Sequence, residues 1–317
     1  MKQNRREFIT TIAAAGTAIP FASAIETYIT SPVENRFPLR LFSKPIDSYE
    51  FGFMCESVAR AGIGGFDLTV RQGGKVEPSK VEADLPLLVD EAKKHNLALD
   101  MMVSGILSAS DPLTERVLKT ASASGVKYYR LGWFDYDPKI DIWESLRNYR
   151  AILKDIAELN RKYKIHGDYQ NHAGLMVGGP VWDLHELLRD LPPELVGSQY
   201  DVRHAMVEGA NTWILGMRLI SSHIKTLAIK DFTWKVVNNK PQAVTVPLGE
   251  GMVNFDLFFK TVKEMNITGP MTLHIEYTLL EKGEEKLPLL KQQDIIVSKL
   301  KKDMDYLNMM IKKYNLS

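Results

Sequence analysis

The chain has 317 residues, with 40 Lys and Arg against 39 Asp and Glu, 45% apolar residues and a single cysteine. This charge balance gives no electrostatic attraction to nucleic acids or to an anionic membrane surface, and one cysteine excludes a disulfide framework and any cysteine-based metal site. The length and the apolar fraction are typical of a globular protein with one large domain or two ordinary ones.

The N-terminal segment has the pattern of an export signal peptide. Residues 1–24 combine a basic start, a weakly apolar stretch and the small-residue cleavage site Ala22-Ser23-Ala24. The run Asn4-Arg5-Arg6-Glu7-Phe8-Ile9 resembles a twin-arginine signal, although an ordinary secretory signal or an uncleaved anchor remain alternatives. We therefore predict a protein of the periplasm or the exterior, with residues 25–36 as a linker and no membrane contact after cleavage.

The rest of the chain alternates short apolar, β-branched runs with helical patterns eight times, and the last helical pattern covers about 286–314. The predicted strands are Leu39–Phe42, Gly65–Val70, Ala98–Val103, Tyr128–Leu131, Ile165–Gln170, Gly197–Tyr200, Ile224–Ile229 and Thr272–Ile275. Such regular alternation predicts an α/β protein with parallel strands, here a single-domain (β/α)8 TIM barrel over residues 37–317. The competing doubly wound sheet lacks a glycine-rich fingerprint after its first strand, so we predict no nucleotide cofactor.

Polar side chains follow most of the predicted strands. They are Asp67, Thr69, Arg71, Arg130, Gln170, Asn171, His172, Asp201, His204, Lys230, Asp231, His274 and Glu276. Because the active site of such a barrel lies at the carboxyl ends of its strands, these residues predict one shared pocket for a small molecule. The alternative is a set of solvated loop charges.

Several of these segments together resemble the xylose-isomerase-like barrels, which include sugar phosphate isomerases and epimerases. The resemblance rests on DLTVRQGGKVEPSKVEADLP, YQNHAG, QYDVRHAMVEG, IKTLAIKDF, VPLGEGMVNF and LHIEY. It implies a divalent metal held by Glu, Asp, His and Glu on strands five to eight, with the two glutamates moving protons beside a sugar carbonyl. Asp201 and Glu276 match this set, whereas Gln170 and Ala228 replace its first Glu and its His.

The replacements leave two hypotheses for the chemistry. In the first, Asp201, Glu276 and Gln170 hold a Mn, Mg or Zn ion, with His172 or His204 as a substitute nitrogen ligand. In the second, no metal is bound and the positive charge of Lys230 stabilises an enolate.

In the metal-free hypothesis Glu276 is the general base and His172 or His204 the opposing acid, so that the predicted catalytic residues are Glu276, Lys230, His172 and His204. Arg71, Arg130, Asn171 and Trp234 are the predicted substrate-binding residues. Trp234 would stack on a sugar, although ordinary loop packing explains it equally well.

The resemblance implies an isomerase or epimerase for a sugar or keto-sugar, and predicted export disfavours a phosphorylated substrate. One strong carboxylate base also suits a lyase or hydratase that acts on 3-keto glycosides by β-elimination, and a non-catalytic sugar-binding barrel is a third reading. A DNA-repair endonuclease would need more metal ligands and a basic face. We expect a small-molecule sugar as partner and no nucleic acid, and the sequence leaves homo-oligomer formation open.

Overall fold

The computed structural model describes residues 36–316, and the predicted signal peptide therefore lies outside the described residues. These residues fold into a closed barrel of parallel strands, in the order β1-β2-β3-β4-β5-β6-β7-β10 around the barrel. The barrel strands are β1 (Leu39–Phe42), β2 (Gly65–Val70), β3 (Ala98–Ser104), β4 (Tyr128–Arg130), β5 (His166–Asp168), β6 (Val196–Asp201), β7 (Ile224–Ile229) and β10 (Met271–Leu273). The predicted (β/α)8 TIM barrel is confirmed.

Helices cover the outside of the barrel. They are α1 (Phe51–Arg60), α2 (Val81–Lys94), α3 (Pro112–Ala123), α4 (Ile142–Tyr163), α5 (Val181–Leu188), α6 (Val202–Gly209), α7 (Trp213–Leu219), α8 (Phe255–Glu264) and α9 (Leu289–Lys313). Side chains of Asp111, Asp141 and Asn254 accept hydrogen bonds from the first turns of α3, α4 and α8, which fixes where these helices begin. None of the helices in this part of the chain is long and apolar enough to cross a membrane.

A two-stranded hairpin projects beyond β7, and the sequence analysis did not predict it. Its strands are β8 (Asp231–Val237) and β9 (Lys240–Val246), and Val237 pairs with Lys240. The two residues between them, Asn238 and Asn239, both have positive φ, at 51° and 59°. A two-residue loop with this geometry matches the right-handed twist of the strands, and asparagine tolerates it well. The hairpin begins directly after Lys230, the residue that separates it from β7.

Three strands end earlier than predicted. β4 ends at Arg130 instead of Leu131, β5 at Asp168 instead of Gln170, and β10 at Leu273 instead of Ile275. The polar residues that follow these strands therefore lie on connecting segments just above the barrel. Gln170 and Asn171 remain in position because the buried hydrogen bonds described below hold them.

Candidate active site

Three strand ends bring an ammonium group between two carboxylates at the mouth of the barrel. Lys230 follows β7, and its Nζ lies 3.1 Å from Oδ2 of Asp201 at the end of β6. The same Nζ lies 3.3 Å from Oε2 of Glu276, which follows β10. The side chains of Lys230 and Asp201 are 2% and 0% exposed, whereas that of Glu276 is 33% exposed. Of the two carboxylates, Glu276 is thus the one that solvent or a ligand can reach.

Gln170 connects this cluster to Arg130. The Gln170 Nε2 donates to Oδ2 of Asp201 at 2.9 Å, and its Oε1 accepts from Arg130 Nη1 at 2.7 Å. The opposite orientation of the amide would place its oxygen against a carboxylate and its NH2 against a guanidinium, so both contacts fix the observed orientation. The Gln170 oxygen therefore faces Arg130 and not the Asp201 carboxylate.

Aromatic rings form one wall of the site. The guanidinium of Arg130 lies 4.1 Å from the ring centre of Trp133, and Trp133 Nε1 donates to the backbone oxygen of Gln170 at 3.0 Å. The ring of His172 lies 4.8 Å from that of Trp133, and the ring of His204 lies 3.9 Å from that of His172. The two histidine rings predicted as acids therefore lie in contact beside Asp201, with their planes tilted by 37°.

Both histidines are held in the uncharged form. Burial lowers the pKa of His172, and the charge of Lys230 lowers it further. For His204 burial and then Lys230, His172, Arg203 and Arg130 hold the pKa well below its usual range. A protonated imidazolium would have to form in a buried site that already contains three cationic side chains, so a neutral ring is the form available near neutral pH.

Three of the predicted substrate-binding residues, Asn171, Arg71 and Trp234, have different surroundings in the structure. Asn171 does not face a ligand with its amide, because it donates to the Asp201 backbone oxygen at 2.9 Å and accepts from the Asp201 backbone nitrogen at 2.8 Å. Asn171 therefore holds the end of β6 by two hydrogen bonds. Arg71 lies 6.0 Å from the ring of Phe42, and Trp234 stands on β8, 48% exposed, edge-on to Phe232.

A second polar layer lies inside the barrel. His274, two residues before Glu276, stacks on Phe42, and its Nε2 is 3.9 Å from Oδ2 of Asp67. Burial raises the pKa of Asp67 to about 7, against the opposing effects of Arg130, Thr272 and Gln199. Burial also keeps the pKa of His274 well below its usual range. Asp67 therefore keeps its proton into the neutral pH range, next to an uncharged imidazole.

The donor set does not fit a divalent metal. Oδ1 of Asp201 accepts from the His204 backbone nitrogen at 2.9 Å, and Oδ2 faces both Gln170 and Lys230. The ammonium of Lys230 already lies between the carboxylates of Asp201 and Glu276, two of the predicted metal ligands. Within residues 36–316 no three His, Cys, Asp or Glu side chains are grouped so that they could hold a metal ion. The metal site predicted from Asp201, Glu276 and Gln170 is therefore not supported by the arrangement of these residues.

Two residues that support the site were not among the predicted site residues. Trp133 supports both Arg130 and Gln170. Arg203 Nη1 lies 3.0 Å from Nδ1 of His204. The aromatic residue in a strand-end loop was a visible signal for Trp133, but its partners were not visible. Arg203 had no signal beyond its position next to His204.

Comparisons with known proteins agree with this architecture. No curated protein matches the chain significantly. Among solved structures, a zinc-bound IolI protein has a TM-score of 0.66 at 13% identity, covering 88% of this chain and 99% of that one. The D-allulose 3-epimerase of Methylomonas sp., in complex with D-allulose, has a TM-score of 0.63 at 16% identity, covering 87% and 97%. The 3-keto-D-glucoside 4-epimerase of E. coli has a TM-score of 0.57 at 12% identity, covering 83% and 98%.

At these identities the structural likeness shows the fold alone. The family assignment comes from a sequence profile described as xylose isomerase-like TIM barrel, which matches residues 55–293. This range includes Gln170, Asp201, Lys230 and Glu276, the four residues at the centre of the site. The chain belongs to the xylose isomerase-like TIM barrel family.

Proposed function

We propose that this protein is a sugar isomerase or epimerase that removes a proton beside the carbonyl group of an unphosphorylated sugar or keto-sugar without a metal ion. The observation that carries the proposal is Lys230, whose ammonium lies 3.1 Å from Asp201 and 3.3 Å from Glu276 at the barrel mouth. This is the end of a TIM barrel where catalytic groups collect.

The three groups suit enolate chemistry. Glu276, the more exposed carboxylate, takes the proton from the carbon beside the carbonyl, and the electron pair of that C–H bond moves toward the carbonyl oxygen. Lysine has three N–H donors, and the two carboxylates engage two of them. The third is available to the oxygen on which negative charge develops, in a buried site where such a contact is strong. Asp201 keeps the ammonium in place.

The same enolate can proceed in two ways. Delivery of a proton from solvent water to the other face gives an epimer. Return of the proton from Glu276 to the former carbonyl carbon, while the hydroxyl proton of the neighbouring carbon moves to the former carbonyl oxygen, gives an isomer. Loss of a leaving group from the β-carbon gives an unsaturated sugar, which is the lyase alternative for 3-keto glycosides. The replacement of a base by Gln170, which has no acid–base function, favours this alternative over an epimerisation with two carboxylate bases.

Three considerations support the class of substrate. Two of the structural relatives are epimerases of D-allulose and of a 3-keto-D-glucoside by their descriptions. The site presents hydrogen-bonding groups beside the aromatic ring of Trp133, which suits a small polyhydroxylated ligand. We also propose that residues 1–24 direct export to the periplasm or the exterior, where phosphorylated sugars are not the expected substrates.

The test is exchange of the carbon-bound proton in deuterated water. The protein is incubated with D-allulose, D-fructose and methyl 3-keto-β-D-glucopyranoside, and NMR follows deuterium incorporation and any epimer or unsaturated product. We expect exchange with at least one of these sugars and its loss in Glu276→Gln. Glu281→Gln, at an exposed position outside the site, is the matched control and should retain exchange.

The outcomes separate the alternatives. Exchange with an epimer supports the main proposal, and exchange with an unsaturated product supports the lyase. Saturable sugar binding by calorimetry without any exchange would instead indicate a binding barrel. Full exchange in Glu276→Gln would contradict the assignment of the base.

A further inference from the structure

The last helix, α9, carries a buried carboxylate that accepts hydrogen bonds from two separate segments of the chain. Asp303 is 2% exposed. Its Oδ1 accepts from the backbone nitrogen of Leu248 at 3.0 Å, and its Oδ2 accepts from the hydroxyl of Tyr277 at 3.0 Å. The first donor belongs to the loop 247–253 that follows the hairpin, and the second belongs to the segment 276–281 that follows β10.

The loop 247–253 connects Asp303 to the main chain at Lys230. Asp231, the residue after Lys230, accepts hydrogen bonds from three backbone nitrogens of this loop. The donors are Gly249 at 3.1 Å, Gly251 at 2.9 Å and Val253 at 3.0 Å. Leu248 directly precedes the first of them, so Asp231 and Asp303 hold neighbouring parts of the same loop.

The segment 276–281 connects Asp303 to Glu276. Tyr277 is the residue after Glu276, and its contact with Asp303 restricts the main chain that carries the Glu276 carboxylate. The contact of Lys230 Nζ with Glu276 Oε2 at 3.3 Å completes a ring of contacts that begins and ends at Asp303. The helix therefore holds both partners of the proposed catalytic pair through one side chain.

Two neighbours of Asp303 on α9 each contact only one of these segments. Lys299 Nζ donates to the backbone oxygen of Thr278 at 3.0 Å, which lies in the segment 276–281. Lys302 forms an ion pair with Glu250 in the loop 247–253. Among these three side chains of α9, Asp303 alone contacts both segments.

The chemistry of Asp303 suits this double contact. A carboxylate only accepts hydrogen bonds, and each of its oxygens can accept one from a different donor. Burial raises the pKa of Asp303 to about 6, against the opposing effects of the hydrogen bonds from Leu248 and Tyr277 and of the charge of Lys302. A buried carboxylate that is ionised at neutral pH costs stability unless such hydrogen bonds satisfy it.

We propose that Asp303 is a positioning residue that holds the Lys230 ammonium and the Glu276 carboxylate at the separation that proton abstraction needs. It acts on the base through Tyr277 and on the ammonium through the loop 247–253. Its effect on the rate rests on the proposed function, whereas the coupling of the two segments is a property of the resting protein.

Amide hydrogen–deuterium exchange followed by mass spectrometry tests the coupling without any substrate. In Asp303→Leu, amide exchange should become at least about tenfold faster in both the loop 247–253 and the segment 276–281, because both lose a hydrogen bond to a charged acceptor. Lys302→Met should affect the loop alone, and Lys299→Met the other segment alone. These two variants are the matched controls for the double contact.

The deuterium-incorporation assay with the three sugars tests the effect on the rate. Tyr277→Phe removes one hydroxyl group and should lower kcat about tenfold with little change in KM, because a misplaced base weakens the transition state and not the binding of the sugar. Tyr314→Phe, which removes a hydroxyl group bound to the exposed Asp256, is the control and should leave both constants unchanged.

The conservative variant separates positioning from charge. In Asp303→Asn the side-chain oxygen can accept from Leu248, and the NH2 group can donate to the Tyr277 hydroxyl, which is able to accept. Asp303→Asn should therefore retain more of the wild-type kcat than Asp303→Leu. If Asp303→Leu does not fold, Tyr277→Phe replaces it in the amide measurement and should speed exchange in the segment 276–281.

Three results would overturn the inference: faster amide exchange in only one segment of Asp303→Leu, unchanged amide exchange and wild-type kcat in Tyr277→Phe, or equal loss of kcat in Asp303→Asn and Asp303→Leu. Failure of the proposed function would show differently. The wild type would then incorporate no deuterium into any of the sugars, while the amide exchange of both segments would still respond to Asp303→Leu.

Discussion

Asp201 and Ala228 lie opposite each other in the pairing of β6 with β7, and Ala228 is in turn paired with Thr272 on β10. At the level of the Asp201 carboxylate, β7 therefore presents only a methyl group. The positive charge comes from Lys230, two residues after Ala228 and directly after the end of β7. Its side chain extends to Asp201, and the ammonium supplies the positive charge that a bound cation would otherwise supply.

This arrangement predicts that the wild-type protein gains no stability from divalent metal. Elemental analysis of protein purified without chelator or affinity metal should find no stoichiometric Mn, Mg or Zn, and added metal should not raise Tm, because binding to the folded state alone would raise it. The combined variant Ala228→His, Gln170→Glu and Lys230→Ala should acquire metal-dependent stabilisation. One equivalent of metal in the wild type would contradict this prediction.

Lys230→Met should abolish most of the proton exchange. Loss of the ammonium removes the donor to the developing oxyanion, and single donors of this kind contribute about 10²- to 10³-fold to the rate. It also leaves the buried Asp201 carboxylate without its cation, so we expect a free energy of unfolding lower by about 3 kcal/mol. Exchange rates and urea denaturation measure the two effects.

Lys235→Met, at an exposed position of the hairpin, is the control for Lys230→Met. It should change neither the rate nor the stability. A Lys230→Met protein that remains folded at the assay temperature and exchanges at the wild-type rate would rule out Lys230 as the electrostatic group.

The barrel itself could be predicted from the sequence because its signals are local. Each strand is a short apolar run, and the predicted bounds of Leu39–Phe42, Gly65–Val70 and Ile224–Ile229 are those of the structure. The hairpin was missed because its exposed strands lack a buried face. Its strongest signal, the Asn238-Asn239 turn between alternating residues, is short.

The site was predictable in its composition but not in its connections. The sequence identifies Gln170, Asp201 and Lys230 as polar residues at strand ends, and the fold places them together. The direction of the Gln170 amide depends on Arg130, 40 residues earlier, and the position of the Arg203 guanidinium beside His204 depends on Ala243, 40 residues later. Such orientations follow only from the three-dimensional positions of both partners.

Asp67→Asn should stabilise the protein more at pH 8 than at pH 5. Burial raises the pKa of Asp67 in the folded state to about 7, above its usual range near 4. Between these values the folded form keeps a proton that the unfolded chain has lost, so the free energy of unfolding of the wild type falls as the pH rises through this window. Asparagine resembles the protonated acid and removes this loss.

Urea denaturation of the wild type and Asp67→Asn at pH 5, 6.5 and 8 measures the difference, which should grow with pH to a few kcal/mol. Asp155→Asn, at an exposed position of α4, is the control and should show no such trend. A difference that is constant across the three pH values would show that Asp67 is ionised at all of them in the folded protein.

Gly251→Ala should destabilise the segment that follows the hairpin, because there is no room for a methyl group beside Asp231. The buried Asp231 carboxylate accepts hydrogen bonds from the backbone nitrogens of Phe232 at 2.8 Å, Gly249 at 3.1 Å, Gly251 at 2.9 Å and Val253 at 3.0 Å. A Cβ at Gly251 would overlap Oδ1 of Asp231 and the backbone oxygen of Phe232. The overlap can be relieved only if the loop loses some of these hydrogen bonds. A hydrogen bond to a charged acceptor contributes about 1.5–3 kcal/mol to the stability of the folded protein.

Thermal unfolding compares Gly251→Ala with Gly52→Ala, whose Cβ would have its nearest neighbour at 3.9 Å on the exposed side of α1. We expect a lower Tm for Gly251→Ala and an unchanged or higher Tm for Gly52→Ala, because alanine favours a helix over glycine. Since the same loop is anchored to the residue after Lys230, Gly251→Ala should also slow proton exchange. Equal Tm values for the two variants would show that the loop is not held by Asp231 as the structure has it.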